Sequence, residues 1–252
     1  EKNQVWIYYI VKKMAKFSNI IRKNNENILI NEFIKVFKYY LKKSERKGKR
    51  FSFVLTGGES PIKLYKKISK DKNVNWRNID FFIGDERYVN ERSKYSNIKM
   101  CKKHLLNKIK ISKKQIFKIS TNSKSIRKDS NHYETIIKNY FKNKKIIFDL
   151  ILLGIGSDGH IASLFNKNIR VKNSKNVSFI KKKDFNRITL TISSINKSKL
   201  IFLWAPGKVK HKIIEKIRLD KTKKYPASFL RKKNNFLFYS NWFSQISWFV
   251  YI

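Results

Sequence analysis

Hydrophobic positions along the chain follow two rhythms. Between Asn27 and Ser44, Ile28, Leu29, Phe33, Val36, Phe37, Tyr40 and Leu41 recur at helical spacing, which predicts an amphipathic helix. Phe51–Leu55, Ile79–Ile83 and Phe148–Leu153 are short, mostly apolar runs, the pattern of strands buried on both faces. Further helical patterns begin near Pro61 and cover Asn97–Leu106, Asn131–Phe141 and Val209–Ile217. Short strands are predicted at Ile116–Ile119, Arg187–Ile192, Leu200–Trp204 and Phe236–Tyr239. Strands alternating with helices predict an α/β fold: a single Rossmann-like layered domain, with a largely parallel sheet flanked by helices. The domain is expected to span residues 1–252, with its core over about 25–240. The Lys/Asn-rich stretches Ser120–Asn131 and Asn166–Lys183 read as surface insertions.

Three predicted strands end in unusual polar turns. These are Thr56-Gly57-Gly58-Glu59-Ser60-Pro61, Gly84-Asp85-Glu86-Arg87 and Gly154-Ile155-Gly156-Ser157-Asp158-Gly159-His160. Ligands of open α/β sheets bind outside the carboxyl ends of the strands, and parallel strands would bring the three turns to one edge. In the first turn, exposed backbone N–H groups of Gly57 and Gly58 and the hydroxyls of Thr56 and Ser60 can seat a phosphate. Glu59 opposes that unless its carboxylate turns outward, and a plain strand–turn–helix junction fits the same residues. The third turn matches G-x-G-x-x-G. A dinucleotide site also asks for an acid about 20 residues on, and positions 170–180 hold none. The glycines are better read as a tight turn presenting Asp158 and His160.

Of the four histidines, His104, His132 and His211 fall in helical patterns, whereas His160 follows a glycine turn at a strand end. An imidazole, with an ordinary pKa of about 6.5, suits proton abstraction at neutral pH. Asp158, or a carboxylate of Asp85-Glu86, could orient it. Arg87 and Lys210 would supply positive charge for a phosphate or a developing oxyanion.

Composition changes this picture little. With 252 residues and a 41% hydrophobic fraction, the chain can bury a sizeable core. The longest apolar candidates, Val5–Val11 and the interrupted aromatic stretch from Phe236, fall short of the roughly 20 residues that span a bilayer. The second is expected to be a terminal strand with its packing partners, and no membrane partner is expected. The single cysteine, Cys101, excludes an intramolecular disulfide and reads as a small core residue. It fits a reducing compartment, and the cytoplasm is expected. The net charge of +42 is mostly lysine spread over the whole length. Lys, Asn and Ile share A/T-rich codons, so biased base composition accounts for the excess without selection for a polyanion. Weak, salt-sensitive adhesion to nucleic acid follows from the charge, with no specific nucleic-acid partner.

Together these residues resemble the 6-phosphogluconolactonase family, within the sugar-phosphate isomerase/deaminase superfamily. Thr56–Pro61 resembles the loop S-G-G-S-T-P, and Phe81–Val89 the strand end F-x-G-D-E-R-x-V. Tyr95-Ser96-Asn97 with Met100 is similar to S-N-x-x-M, and Gly154–Phe165 to G-x-G-x-D-G-H-T-A-S-L-F. Arg187–Thr191 with Ile195-Asn196 is similar to R-I-T-L-T…I-N, Gly207 with Lys210 to G-x-x-K, and Pro226-Ala227-Ser228 to a late P-A-S. The resemblance implies a carboxylic ester hydrolase of carbohydrate metabolism, in the pentose phosphate pathway, that opens 6-phosphogluconolactone without metal or cofactor. His160 would be the general base, with Asp158 and Asp85 arranging the catalytic site. Gly57, Gly58, Ser60, Arg87, Arg187 and Lys210 would bind the phosphorylated lactone. Three departures stand out. Glu59 replaces a small hydroxyl residue. Ile161 replaces Thr, as in the related glucosamine-6-phosphate deaminases. Trp242–Ile252 does not match the closing W-x-x-D. A deaminase/isomerase is the alternative, although Arg87 and Ser163-Leu164-Phe165 favour the lactonase. A basic nucleic-acid-binding α/β protein is the other. Some unicellular parasites fuse this lactonase to glucose-6-phosphate dehydrogenase, and a chain opening on Glu1 is compatible with such a fusion or association.

Overall fold

The computed structural model describes residues 19–166, 169, 175–219, 223–231 and 233–240. Val5–Val11 and Trp242–Ile252 lie outside the described residues. In chain order the elements are β1 (Asn19–Lys23), α1 (Glu26–Glu45), β2 (Phe51–Leu55), α2 (Ile62–Ile68), β3 (Ile79–Ile83), β4 (Asp85–Arg87), α3 (Asn97–His104) and β5 (Ile116–Phe117). There follow α4 (Ile126–Tyr140), β6 (Leu150–Gly154), β7 (Val177–Ile180), β8 (Arg187–Leu190), α5 (Ile192–Lys197), β9 (Leu200–Ala205), α6 (His211–Leu219) and β10 (Asn235–Ser240).

Seven strands form one parallel sheet in the order β1-β10-β9-β6-β2-β3-β5. The chain runs outward from β2 through β3 to β5. It then returns to the other side of β2 as β6 and runs outward again through β9 and β10. Strand order therefore reverses between β2 and β6, the place where an open α/β sheet leaves a crevice at its carboxyl edge.

The mostly apolar runs are explained by the layers on both sides. On one face Phe33 of α1 packs against Phe202, Trp204 and Phe238 with ring centroids 5.4, 5.7 and 5.2 Å away. Phe37 of α1 meets Phe51 and Phe53 of β2. On the other face Phe82 packs against Phe117, against Tyr140 of α4 and against Phe148. Phe81 and Phe82 thus serve opposite faces, as the two-residue period of a strand requires. Helix α1 starts where Asn25 caps the Ile28 N–H at 2.9 Å, one residue before the predicted start.

Several sequence expectations need correction. Ser120–Asn131 is not all surface insertion, because Ser125 caps α4, which begins at Ile126 rather than Asn131. The described part of Asn166–Lys183 contains β7, whose Val177 N–H is held by buried Glu134 at 2.7 Å. β7 joins β8 and β4 in a separate three-stranded antiparallel sheet, absent from the sequence reading. The strand expected over Arg187–Ile192 stops at Leu190, because Thr191 caps α5. The strand from Ile116 ends at Phe117, helix α3 ends at His104, and α6 is preceded by a 3-10 turn at Lys208–Lys210. Cys101 is buried in α3, and burial, with Glu86 and Asp85 nearby, pushes its thiol well above the ordinary range, as suits a core residue. No helix among the described residues is long and apolar enough to cross a membrane.

Candidate active site

The turn after β6 is built by its own backbone. Gly156 N–H donates to His160 O at 2.8 Å, and Gly159 N–H donates to Gly156 O at 3.0 Å. Gly159 has φ +80, a left-handed conformation that L side chains rarely adopt. The turn hands His160 to Asp158, whose Oδ1 lies 2.5 Å from Nδ1 and also accepts the His160 backbone N–H at 3.2 Å. Gly156 makes this pair possible: a Cβ there would stand 2.0 Å from His160 Nδ1 and 2.7 Å from Asp158 Oδ1. Burial raises the Asp158 carboxyl, but the hydrogen bond and charge of His160 outweigh it and leave the group below its ordinary value. Asp158 is therefore a carboxylate that can only accept. In a neutral imidazole Nδ1 then carries the proton, and Nε2 is left as an acceptor. The Phe165 ring lies against the imidazole, centroids 4.7 Å apart, with Lys182 Nζ 3.8 Å from its own centroid.

The turn after β2 is fixed from four sides. Tyr65 of α2 donates its hydroxyl to Thr56 O at 2.8 Å and accepts the Thr56 N–H at 3.1 Å. Thr56 Oγ1 accepts the Gly154 N–H at 3.2 Å, tying this turn to the histidine turn. Trp204 of β9 donates Nε1–H to Ser60 O at 3.0 Å. The fourth side is Asn97 of α3, which lies so close to Gly57 that a Cβ there would be 2.0 Å from Asn97 Cγ. Gly58 has φ +79 and open space beside it. The Glu59 side chain is exposed at the rim.

The cations arrive from the small sheet and from the turn before α6. Arg87 of β4 stands directly opposite Arg187 of β8. Like charges facing each other across a strand pair are destabilising unless something neutralises them. Asp184 takes Arg187 Nη2 at 2.6 Å, and Arg87 donates Nη1–H to Tyr95 O at 2.9 Å. Lys210 joins them half-buried. Burial lowers its ammonium below the ordinary lysine value, and the charge of Asp158 partly offsets this. Asp85 does not reach His160 in any hydrogen bond; it accepts the Ser163 hydroxyl at 2.6 Å.

These side chains surround one cavity of about 210 Å³, lined by the 56–60 turn, Asp85, Arg87, Asn97, Gly154–Gly156, His160, Ala162, Arg187 and Lys210. It shares Gly58, Glu59, Arg87 and Asn97 with a groove of about 840 Å³ that carries Lys94, Lys99 and Lys103. His104 in that groove is held below its ordinary pKa by burial and by Lys66, Lys103 and Lys108. The mouth of the site therefore has a positive field that draws in anions. Among the described residues, no group of three or more His, Cys, Asp or Glu is placed to hold a metal ion.

The structure brings Gly57, Gly58, Ser60, Asp85, Arg87, His160, Arg187 and Lys210 to one cavity, with Asp158 bonded to the imidazole. His104, His132 and His211 lie in α3, α4 and α6, as their spacing predicts. Sequence reasoning gave no role to Asn97 or to Phe165. Ser96-Asn97 opens a helix, and that was the available signal: Ser96 caps the Lys99 N–H at 3.3 Å, which points Asn97 at the neighbouring turn. Phe165 carried no signal, because its contact with His160 depends on the turn through Ala162, a non-glycine residue at φ +49.

A parallel sheet with an imidazole–carboxylate pair and clustered cations at its switch point defines an α/β protein with a cationic cavity at the carboxyl edge. The family described as glucosamine-6-phosphate isomerases/6-phosphogluconolactonase matches residues 24–239. The chain belongs to that family. It is 34% identical over 192 residues to a 6-phosphogluconolactonase of Thermotoga maritima, covering 75% of this chain and 83% of the relative. It is 29% identical over 219 residues to the 6-phosphogluconolactonase of a Synechocystis species, covering 84% and 91% of the two chains. The crystal structure of a Thermotoga maritima 6-phosphogluconolactonase superposes with a TM-score of 0.78 at 28% identity, over 88% of this chain and 98% of that one.

Proposed function

We propose that this protein hydrolyses 6-phosphogluconolactone to 6-phosphogluconate, with His160 as general base. The carrying observation is the His160–Asp158 pair, 2.5 Å apart, at a cavity that also holds Arg87, Arg187 and Lys210. In this reading Asp158 fixes the Nδ1–H tautomer, and Nε2 takes a proton from water as the oxygen attacks the lactone carbonyl carbon. Charge developing on the carbonyl oxygen is met by the cavity's cations. The ring C–O bond then breaks, the imidazolium returns its proton to the departing ring oxygen, and the new carboxylic acid ionises. The opposed arginines and Gly57, Gly58 and Ser60 receive the phosphate, whose charge relieves the repulsion between the guanidiniums. Asp85 supports the site by holding Ser163 rather than by touching the base.

The test is proton release from freshly made lactone, comparing wild type with His160→Ala. Wild type should exceed the spontaneous rate, and His160→Ala should lose about a hundredfold or more in kcat. A wild type that only matches spontaneous hydrolysis sinks the enzyme reading. A folded His160→Ala with full activity sinks the assignment of the base. Ammonia release from glucosamine 6-phosphate, without lactone hydrolysis, would put the chain with the deaminases.

A further inference from the structure

One carboxylate beside the site does not line its cavity. Glu86 is the central residue of β4, so its side chain points away from the face that carries Asp85 and Arg87. It is 2% exposed. Its Oε1 accepts the backbone N–H of Asn97 at 2.7 Å and of Arg87 at 2.9 Å. Its Oε2 accepts the Ile98 N–H at 2.8 Å and the Ser96 hydroxyl at 3.3 Å. One side chain thus joins β4 to the first turn of α3. Capping alone does not require it, because Ser96 already caps the Lys99 N–H. The groups it fixes lead into the site: Asn97 donates Nδ2–H to Asp85 O at 2.8 Å and lies against Gly57, and Arg87 lines the cavity.

We propose that Glu86 is a positioning residue for substrate binding, its carboxylate holding Arg87, Asn97 and, through Asn97, the Gly57 turn in the arrangement that receives the phosphorylated lactone. This rests on the lactonase reading above. Three of the four partners of Glu86 are backbone N–H groups that can only donate, so a proton on either oxygen sets a competing donor against at least one of them. Burial, helped by the charge of Asp85 and opposed by the three backbone N–H groups, raises the group to about 7. Its titratable neighbours are Asp85 and Arg87 on its own strand and Cys101 on α3, while β8 presents apolar Ile188 opposite it. Among the described residues no Lys, Arg or His forms an ion pair with it. Its pinning of α3 therefore strengthens as pH rises through neutrality.

Glu86→Gln keeps the shape and turns an amide donor toward donors. KM for the lactone should rise about tenfold while kcat changes by less than about twofold. In wild type, KM should climb as pH falls through about 7. In Glu86→Gln that component should vanish, leaving the ionisation of the substrate phosphate. The control is Asp149→Asn, which removes another buried carboxylate clamp, on Ser52 at the far edge of the sheet. It should lower Tm and leave KM unchanged. A folded Glu86→Gln with wild-type KM and pH profile overturns the proposal, as does an equal KM change in Asp149→Asn. If Glu86→Gln does not fold, wild-type amide exchange decides. Protection of Asn97 and Ile98, corrected for intrinsic rates, should fall as pH falls through about 7, and constant protection overturns the proposal. Failure of wild type to hydrolyse the lactone sinks the function and leaves the exchange measurement to judge Glu86.

Discussion

A Cβ at Gly156 would stand 2.0 Å from His160 Nδ1, the atom that meets Asp158 Oδ1 at 2.5 Å. The imidazole is seated against a bare backbone, and Gly156→Ala must push it off. Gly156 has no positive φ, so the turn itself tolerates alanine. A displacement of about 1 Å can cost about a hundredfold in rate. Gly156→Ala should therefore lose about that much kcat with Tm nearly unchanged. Wild-type kcat in this variant would contradict the placement of the base.

Asp158→Asn leaves the shape and removes the charge that fixes the tautomer. We expect kcat to fall about tenfold to a hundredfold. Stability should hardly change, because the Asp158 side chain is 61% exposed and solvent screens the pair. The sign is still defined. Its depressed carboxyl adds stability above the unfolded-state value, and that is lost as pH falls through the folded-state value. Kinetic pH profiles and thermal melts of both proteins check this.

Gly57→Ala should destabilise the fold by about 1–3 kcal/mol, because the new methyl meets the fixed Asn97 side chain. Asn97→Ala in the same chain should recover part of that loss. The two substitutions should be non-additive in a double-mutant cycle read by denaturant unfolding. Strict additivity would show that the contact carries no energy.

Glu59→Ser tests the rim. The Glu59 carboxylate borders the cavity that holds Arg87 and Lys210 and offsets their field. Its removal should lower KM for the lactone by a few-fold at low ionic strength, and the difference should shrink as salt is added. Identical KM values at low salt would show that the side chain keeps clear of the phosphate.

For Glu86, stability and site order respond to pH in opposite senses. Its carboxyl rises from 4.5 to about 7 on folding, so the fold binds that proton more tightly than the unfolded chain does. Its contribution is complete below the unfolded value and is lost as pH rises through the folded one, about 3 kcal/mol in all. Wild-type stability relative to Glu86→Gln should decline between pH 4.5 and about 7 and then level off. KM should improve over the upper part of that range. A stability difference that rises with pH would show that Glu86 is ionised throughout.

The large sheet was legible in the sequence because its signal is local. Phe51–Leu55 and Ile79–Ile83 are apolar at all but one position each, Ser52 and Asp80, and both are strands with the expected bounds. The three polar turns were legible for the same reason, and parallel pairing put them at one edge. The small sheet was not legible. β4 reads Asp-Glu-Arg, and its burial comes from partners about a hundred residues away. β7 lies in a lysine-rich stretch and owes its place to Glu134, a contact made only on folding. Asp85 and Asp158 looked equally able to orient His160. The choice rests on backbone direction in the turn, which composition does not encode.

The proposed base and the opposed arginines ride on different sheets. His160 follows β6 of the parallel sheet, while Arg87 and Arg187 belong to the antiparallel one. Gly84 stitches the two, donating its N–H to Leu55 O at 2.9 Å and accepting the Leu190 N–H at 2.9 Å. The span between imidazole and guanidiniums therefore depends on this junction, together with the Asp85–Ser163 hydrogen bond, and not on the ladder of either sheet alone. A change at Gly84 would therefore reach the proposed base and the opposed arginines together without touching either.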